Sequence, residues 1–363
     1  MAGARAGWDD EGFRAGVQKA LDGFLDEQAA RLAPLGTDAA RLMAEARVSV
    51  SGGKRFRAAF CYWGHRAVDP APANGLLDNE EALVRACAAL ELLHASALVH
   101  DDYMDASDTR RGRPATHRAF GAEHRSDGWR GDPEQYGAAA AILLGDLLLG
   151  WSDEMLRRCG LPWDRVAPAL DLFDQCRSEV ITGQFLDVSV QARGRADVDT
   201  AMTVLRYKSA KYSIERPLHI GAALAGAGPE TLEALSSFGL PLGEAFQLRD
   251  DLLGVFGDPE TTGKPAGDDL VEGKRTVLVA LALDAASPTD AATLDAALGR
   301  RLSLDDVEEL RRIIDSSGAQ AQVEQVIEEL ARLAVAALDV APIDDGAREV
   351  LRDLASAVTQ RAL

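Results

Sequence analysis

The chain has 363 residues, 47% of them hydrophobic, which suffices for a well-buried globular core. Its 58 Asp and Glu outnumber 39 Lys and Arg for a net charge of −19, which argues against nucleic acid or an anionic membrane surface as the main partner. Local basic islands stand out against that background.

The opening stretch MAGARAGWDDEGF has no basic-then-apolar signal pattern, and residues 1–10 are expected to form a flexible tail. Apolar runs such as AAAAILLG at 138–145 end at charges well short of a bilayer's thickness. No transmembrane segment and a cytoplasmic location are therefore expected. Cys61, Cys87, Cys159 and Cys176 show no Cys-x-x-Cys spacing and fall in apolar helical patterns, which predicts buried, reduced thiols.

Apolar residues recur at helical spacing almost throughout, without sustained period-two alternation, so the fold class is all-α. The first chemically suggestive segment is Gly52-Gly53-Lys54-Arg55-Phe56-Arg57, a diglycine and three cations at a helix start. Backbone amides with Lys and Arg suit an anion there, although basic helix starts without a ligand are common. The next helix is predicted from about Glu80 to Met104, where Leu83, Cys87, Leu90, His94, Ala97, Asp101 and Asp105 form one stripe. The stripe turns acidic at its end, with Asp102 alongside, and so opposes the helix dipole. Adjacent carboxylates repel, and hard divalent cations shared with a phosphate relieve them. Alone, such an end also reads as a solvated surface, and His94 as a core histidine. Arg110, Arg111 and Arg113 follow directly and place phosphate-binding guanidinium groups beside the carboxylates.

Residues 121–137 read as a charged loop, a lid or plain surface. Farther on, Gln184 and Asp187 in ITGQFLD, and Gln247 in FQLRDD, interrupt apolar helix faces; they need partners in the core or point into a polar cavity. Lys208 and Lys211 in RYKSAKYS, Lys264 in TTGKPAGDD and Lys274-Arg275 in EGKRT add cations at turns around a second acidic pair, Asp250 and Asp251. The final eighty or so residues read as scaffold, with a helix start at Ser303 three before Asp306. No Pro- or Ser/Gly-rich linker divides the chain, so one domain over 1–363 is expected.

Two carboxylate clusters, several cationic islands and long apolar helices suit a substrate with a polyanionic head and an apolar tail, as in an allylic diphosphate. Mg²⁺ and basic side chains would stabilise the departing diphosphate, and a water-poor cavity would protect the carbocation. No G-x-S-x-G, Walker loop or G-x-G-x-x-G points elsewhere.

GGKRFR, ELLHASALVHDDYMD, RRGRPATH, GQFLD, YKSAKYS, FQLRDD and TGKPAGDDLVEGKRT stand in order between Gly52 and Thr276. In these motifs the chain resembles the trans-isoprenyl diphosphate synthases of the polyprenyl synthetase family, most of all those that make geranylgeranyl diphosphate. The resemblance implies an antiparallel helix bundle around a central cavity (the isoprenoid synthase fold), a homodimer, and three Mg²⁺ ions. By the same motifs Asp101, Asp105 and Asp250 are the expected metal ligands, with Asp102, Asp251 and Asp268 supporting them through water. Arg110, Lys208 and Lys264 are expected on the allylic diphosphate (dimethylallyl, geranyl or farnesyl). Lys54, Arg57, His94 and Arg111 are expected on isopentenyl diphosphate. Gln184, Gln247 and Ser209 would line the reaction centre, and Lys274 is a further substrate-binding candidate.

Gly254 stands where many members have a third aspartate, and the expected consequence is weaker affinity for the third metal with activity retained. Chain length is expected to depend on the helix before Asp101. Ser96 lies on the order of 7 Å along its axis, with Ala97 beside it and Leu92 and Leu93 one turn farther. A small residue there implies a low wall and a C20 product, with farnesyl or longer diphosphates as alternatives. A class I terpene cyclase needs no second diphosphate site, and a non-catalytic partner subunit usually loses motifs that this chain keeps.

Overall fold

The computed structural model describes residues 11–70, 79–194, 197–258 and 267–359, and helices account for nearly all of them, as the all-α expectation requires. By their contacts the residues form two units. One comprises Met1–Asp171, Pro217–Ala227 and Asp344–Val350; the other comprises Leu172–Arg216, Gly228–Ile343 and Leu351–Leu363.

The first unit is organised around α4 (Glu80–Met104), which packs on α1 (Glu11–Leu32), α3 (Phe56–Arg66) and α6 (Pro133–Arg157). Of the predicted stripe, Leu83, Cys87 and Leu90 are at most 2% exposed, whereas His94, Ala97, Asp101 and Asp105 are half-buried, and residues 86–93 are buried all round the helix. Among the described residues α4 alone is long and apolar enough to cross a membrane, yet 67% of its most apolar stretch is buried, as befits a core helix. Between α2 (Thr37–Ser49) and α6 the chain also forms the two-residue strands β1 (Thr109–Arg110) and β2 (Arg113–Pro114), paired antiparallel.

The predicted loop at 121–137 needs correction. α5 (Thr116–Ser126) takes its first part and α6 begins at Pro133, capped by Asp132. Trp129 closes the short turn between them, its ring centroid 5.9 Å from His124 and 5.3 Å from Tyr136. All four cysteines are free and buried, as expected.

His65 on α3 is buried and its Nδ1 has no hydrogen-bond partner. Burial first, then the Arg66 and Arg165 charges, opposed by Asp69, lower its pKa to about 4. A neutral imidazole in the fold and a titrating one in the unfolded chain mean that stability falls as pH drops from about 6.5 toward 4, by at most about 1.4 kcal/mol per pH unit. His65→Gln is expected to flatten that decline in urea titrations at pH 7 and pH 5. An unchanged pH dependence would contradict the neutral assignment.

In the second unit α10 (Pro229–Phe256) packs against a π-helix (Leu205–Glu215) and a long C-terminal helix (Ala319–Val340). Leu248, Leu252 and Val255 meet Leu278, Ile314, Val323 and Ile327 in its core. The π-helix is gripped by glycines. A Cβ on Gly183 of α7 (Trp163–Arg193) would lie 2.5 Å from the Lys208 amide nitrogen, and one on Gly243 of α10 would lie 2.5 Å from the Ala210 carbonyl oxygen. Only residues without side chains permit backbones this close. The expected helix start at Ser303 is a full capping box with Asp306.

Candidate active site

At the end of α4 the carboxylate of Asp102 is buried, 3% exposed, and does not stand unbalanced. Nε of Arg110, on β1, donates to its Oδ1 at 2.9 Å and its Oδ2 at 3.2 Å, and Nη2 also donates to Oδ1. Arg110 therefore neutralises part of the first acidic cluster. Asp101 and Asp105 lie one turn apart, half-buried, and the two Asp105 carboxylate oxygens are shielded from solvent.

The hairpin turn brings the first basic motif to the second. Arg111 adopts φ 53° and Gly112 φ 72°, which aims Arg111 back so that Nη1 donates to the Ser51 carbonyl at 2.8 Å. A Cβ on Gly53 would meet Arg111 Nη2 at 3.3 Å. Burial, then the charges of Arg57, Arg111, Arg110 and Arg55, hold the His94 imidazole well below its usual pKa. Burial and the nearby Arg55 charge also lower the Arg111 pKa. Lys54 is exposed and Arg57 half-buried. The region gathers Arg55, Arg57, Arg110 and Arg111 around His94 and is strongly positive.

Of the three cations in the first basic motif, one faces the other way. Arg55, in a left-handed conformation at φ 58°, turns into the core. It donates to Glu91 Oε2 at 3.0 Å, Gln18 Oε1 at 2.6 Å and the Val50 carbonyl at 2.6 Å. Its role is to anchor the loop that presents Lys54 and Arg57.

Of the chain-length residues, Leu92, Leu93 and Ser96 are buried and Ala97 half-buried. The Ser96 hydroxyl donates to the Gly145 carbonyl on α6 at 2.8 Å. A small side chain there thus also sets the approach of α4 and α6.

In the second unit the π-helix presents Lys208 and Ser209. Lys208 Nζ lies 2.5 Å from Asp187 Oδ2 on α7, so the Gln184-to-Asp187 segment and the lysine motif are brought together. Lys211 pairs with Glu179 at 3.5 Å and Glu215 at 3.3 Å, inside a network with Arg216 that steadies the same π-helix. On α10, Gln247 Nε2 donates to Asp251 Oδ1 at 2.9 Å. Burial, then the neighbouring Asp269 and Asp250 carboxylates, push Asp251 up to about 8 against Gln247 and Lys274. Lys274 Nζ reaches Glu272 at 2.5 Å and Asp269 at 3.4 Å. Lys264 lies outside the described residues.

Two residues here escaped sequence reasoning. Arg249, beside Asp250, makes a bidentate pair with Glu324 at 2.6 Å for each bond. Asp269, rather than its neighbour Asp268, is the carboxylate that acts most strongly on Asp251; Lys274 five residues on was its one visible signal.

A divalent cation fits this chemistry. The donors are hard carboxylate oxygens, and in the second cluster the Asp269 and Asp250 carboxylates lie close to the buried Asp251. Among the described residues no three His, Cys, Asp or Glu side chains close on one point.

Comparison with known proteins shows that this all-α chain with its acidic and basic groups is a prenyltransferase of the trans-prenyl diphosphate synthase class. The polyprenyl synthetase model matches residues 40–315, and the chain belongs to that family, which is magnesium-dependent. It is similar to a solved geranylgeranyl pyrophosphate synthase from Corynebacterium glutamicum, complexed with isoprenyl diphosphate and magnesium. That likeness has 43% identity and a TM-score of 0.92 over 96% of this chain and 99% of the other, and it carries the isoprenoid synthase fold. Curated relatives include the geranylgeranyl diphosphate synthase of Mycobacterium tuberculosis, 34% identical over 79% of this chain and 75% of the relative. The geranylfarnesyl diphosphate synthase of Aeropyrum pernix is 34% identical over 74% and 77%.

Proposed function

We propose that this trans-prenyl diphosphate synthase condenses isopentenyl diphosphate with an allylic diphosphate and stops at geranylgeranyl diphosphate. The observation that carries the C20 reading is the small, buried Ser96 five residues before Asp101. The likeness to geranylgeranyl diphosphate synthases supports it. A C25 product is the second reading, favoured by the similarity to the Aeropyrum pernix enzyme.

In this reading Asp101, Asp105 and Asp250 would ligate the Mg²⁺ ions, three of them in the family's pattern, with Asp102, Asp251 and Asp268 supporting them through water. The bound metal supplies Lewis-acid stabilisation of the leaving diphosphate. Arg110 and Lys208, kept in place by Asp102 and Asp187, hold the allylic diphosphate. Lys54, Arg57, Arg111 and a neutral His94 hold isopentenyl diphosphate. Gln184, Ser209 and Gln247 line the reacting carbons, and the released diphosphate takes the proton. Ile142 and Leu143, 44% and 58% exposed on α6, offer an apolar surface for a second copy in a homodimer. The four free thiols accord with the reducing cytoplasm.

The test is product sizing after dephosphorylation, with dimethylallyl, geranyl and farnesyl diphosphate as separate primers. A C20 end product from each is expected; C15 or C25 would overturn the chain-length reading. Ser96→Phe should shorten the product, with Ser96→Ala, which loses only the bond to Gly145, keeping it.

A further inference from the structure

The C-terminal helices, which read in the sequence as scaffold, reach the second acidic pair through one side chain. Arg249, the residue before Asp250, is only 12% exposed at its side chain. Its Nη1 and Nη2 donate to Oε1 and Oε2 of Glu324, on the helix Ala319–Val340, each at 2.6 Å. Its Nε donates at 3.2 Å to the carbonyl of Thr359, the last residue of the helix Asp345–Thr359. A carbonyl in the last turn of a helix has no amide of its own helix to accept from, so the arginine closes that helix end. A planar fork with all three nitrogens engaged is fixed in direction, which a lysine ammonium is not. A second arginine grips the same stretch of α10. Arg311, on the helix Leu304–Ser316, donates from Nε to the Val255 carbonyl at 2.7 Å and from Nη1 to Glu308 at 3.1 Å. Asp250 and Asp251 lie between the two ties, within about 9 Å of helix at 1.5 Å per residue.

We propose that Arg249 is a positioning residue for the divalent cation at Asp250, setting the height and rotation of α10 by tying it to Glu324 and to the Thr359 carbonyl. Consecutive residues stand about 100° apart around a helix, so Arg249 holds the C-terminal helices while Asp250 presents its carboxylate in another direction. Glu324 balances the guanidinium charge, and α10 is held without neutralising the carboxylates that follow. The C-terminal helices thereby set the geometry of the reaction without supplying a residue to it. A displacement near 1 Å at a reacting group lowers a rate by about 100-fold, which is why such a tie matters at a distance. The proposal rests on the synthase reading in taking that cation to be Mg²⁺.

The test compares full-length wild type with Arg249→Met, Arg249→Lys and Glu324→Gln. One readout is the rise in melting temperature as Mg²⁺ is titrated with inorganic diphosphate present; the other is kcat beside the KM for isopentenyl diphosphate, well below each variant's melting temperature. Arg249→Met is expected to need about ten-fold more Mg²⁺ for half the rise, the usual scale for lost support around a metal. Its kcat should fall by about ten-fold or more, with the KM for isopentenyl diphosphate unchanged, because Lys54, Arg57, His94 and Arg111 lie outside α10. Arg249→Lys should recover only part of the loss, and Glu324→Gln should shift the Mg²⁺ midpoint in the same direction by less. A lowered metal-free melting temperature with an unchanged Mg²⁺ midpoint in Arg249→Met overturns the proposal and leaves a purely structural brace. A KM for isopentenyl diphosphate that rises in step with the Mg²⁺ requirement, or full recovery in Arg249→Lys, overturns it as well. Should Arg249→Met fail to fold, Glu324→Gln decides alone. Absence of any Mg²⁺–diphosphate stabilisation in wild type also overturns it. Failure of wild type to elongate any primer is a separate result that strikes the synthase reading, because the thermal titration does not depend on turnover.

Discussion

Asp101→Ala is expected to lower kcat by about three orders of magnitude with little change in stability, because it removes a charge used while the diphosphate departs. Asp101 is half-buried at the very end of α4, so the helix loses no core packing. Asp102→Ala should behave differently. It leaves the Arg110 guanidinium without the carboxylate that holds it by three hydrogen bonds. The buried pair is broken from one side, which costs about 3–5 kcal/mol in fully buried cases and less here, where the Arg110 side chain is 26% exposed. Chemical denaturation and steady-state kinetics on the two variants separate these effects. Equal losses of stability in both would contradict the division of labour between metal ligand and arginine anchor.

Gly183→Ala should produce the second large effect, through displacement rather than loss of a chemical group. The added methyl would sit 2.5 Å from the Lys208 amide nitrogen and 2.6 Å from the Tyr207 carbonyl carbon. Neither is the end of a flexible side chain, so α7 or the π-helix must shift. Overpacking of this kind destabilises by about 1–3 kcal/mol. A shift near 1 Å at Lys208 can lower the rate by about 100-fold. Lys208 is also tied to Asp187 on the helix that carries Gly183, so both ends of that ion pair feel the change. Kinetics should show a fall in kcat with a rise in KM for the allylic diphosphate. Wild-type kinetics in Gly183→Ala would show that the π-helix tolerates displacement and that its register does not matter for turnover.

How far the sequence could be read depended on whether a feature was local. The extent of α4 was legible because apolar residues run on without a breaker up to the acidic end, and the observed Glu80–Met104 matches the predicted span. The basic and acidic motifs were legible as local runs of charge. The direction in which each charge points was not. Lys54, Arg55 and Arg57 look alike in a row, but the left-handed turn at Arg55 sends that side chain to Glu91 in the core. The π-helix was hidden for a similar reason: its eleven residues, Leu205–Glu215, bond one residue farther along than in an α-helix, and the glycines that its backbone approaches, Gly183 and Gly243, lie elsewhere in the chain. Charges in GAEHRSDG suggested a loop, whereas six of those eight residues are the last turns of α5. Asp269 was missed because only three-dimensional packing sets it against Gly254.

The most direct measurement is the rate at which wild-type protein incorporates labelled isopentenyl diphosphate into acid-labile product with farnesyl diphosphate, in Mg²⁺ and again after chelation by EDTA. Steady formation of a prenyl diphosphate one isoprene unit longer than the primer, abolished by EDTA and restored by added Mg²⁺, is the predicted result. Release of a cyclic hydrocarbon, or no incorporation with either metal condition, would contradict a magnesium-dependent trans-prenyl diphosphate synthase.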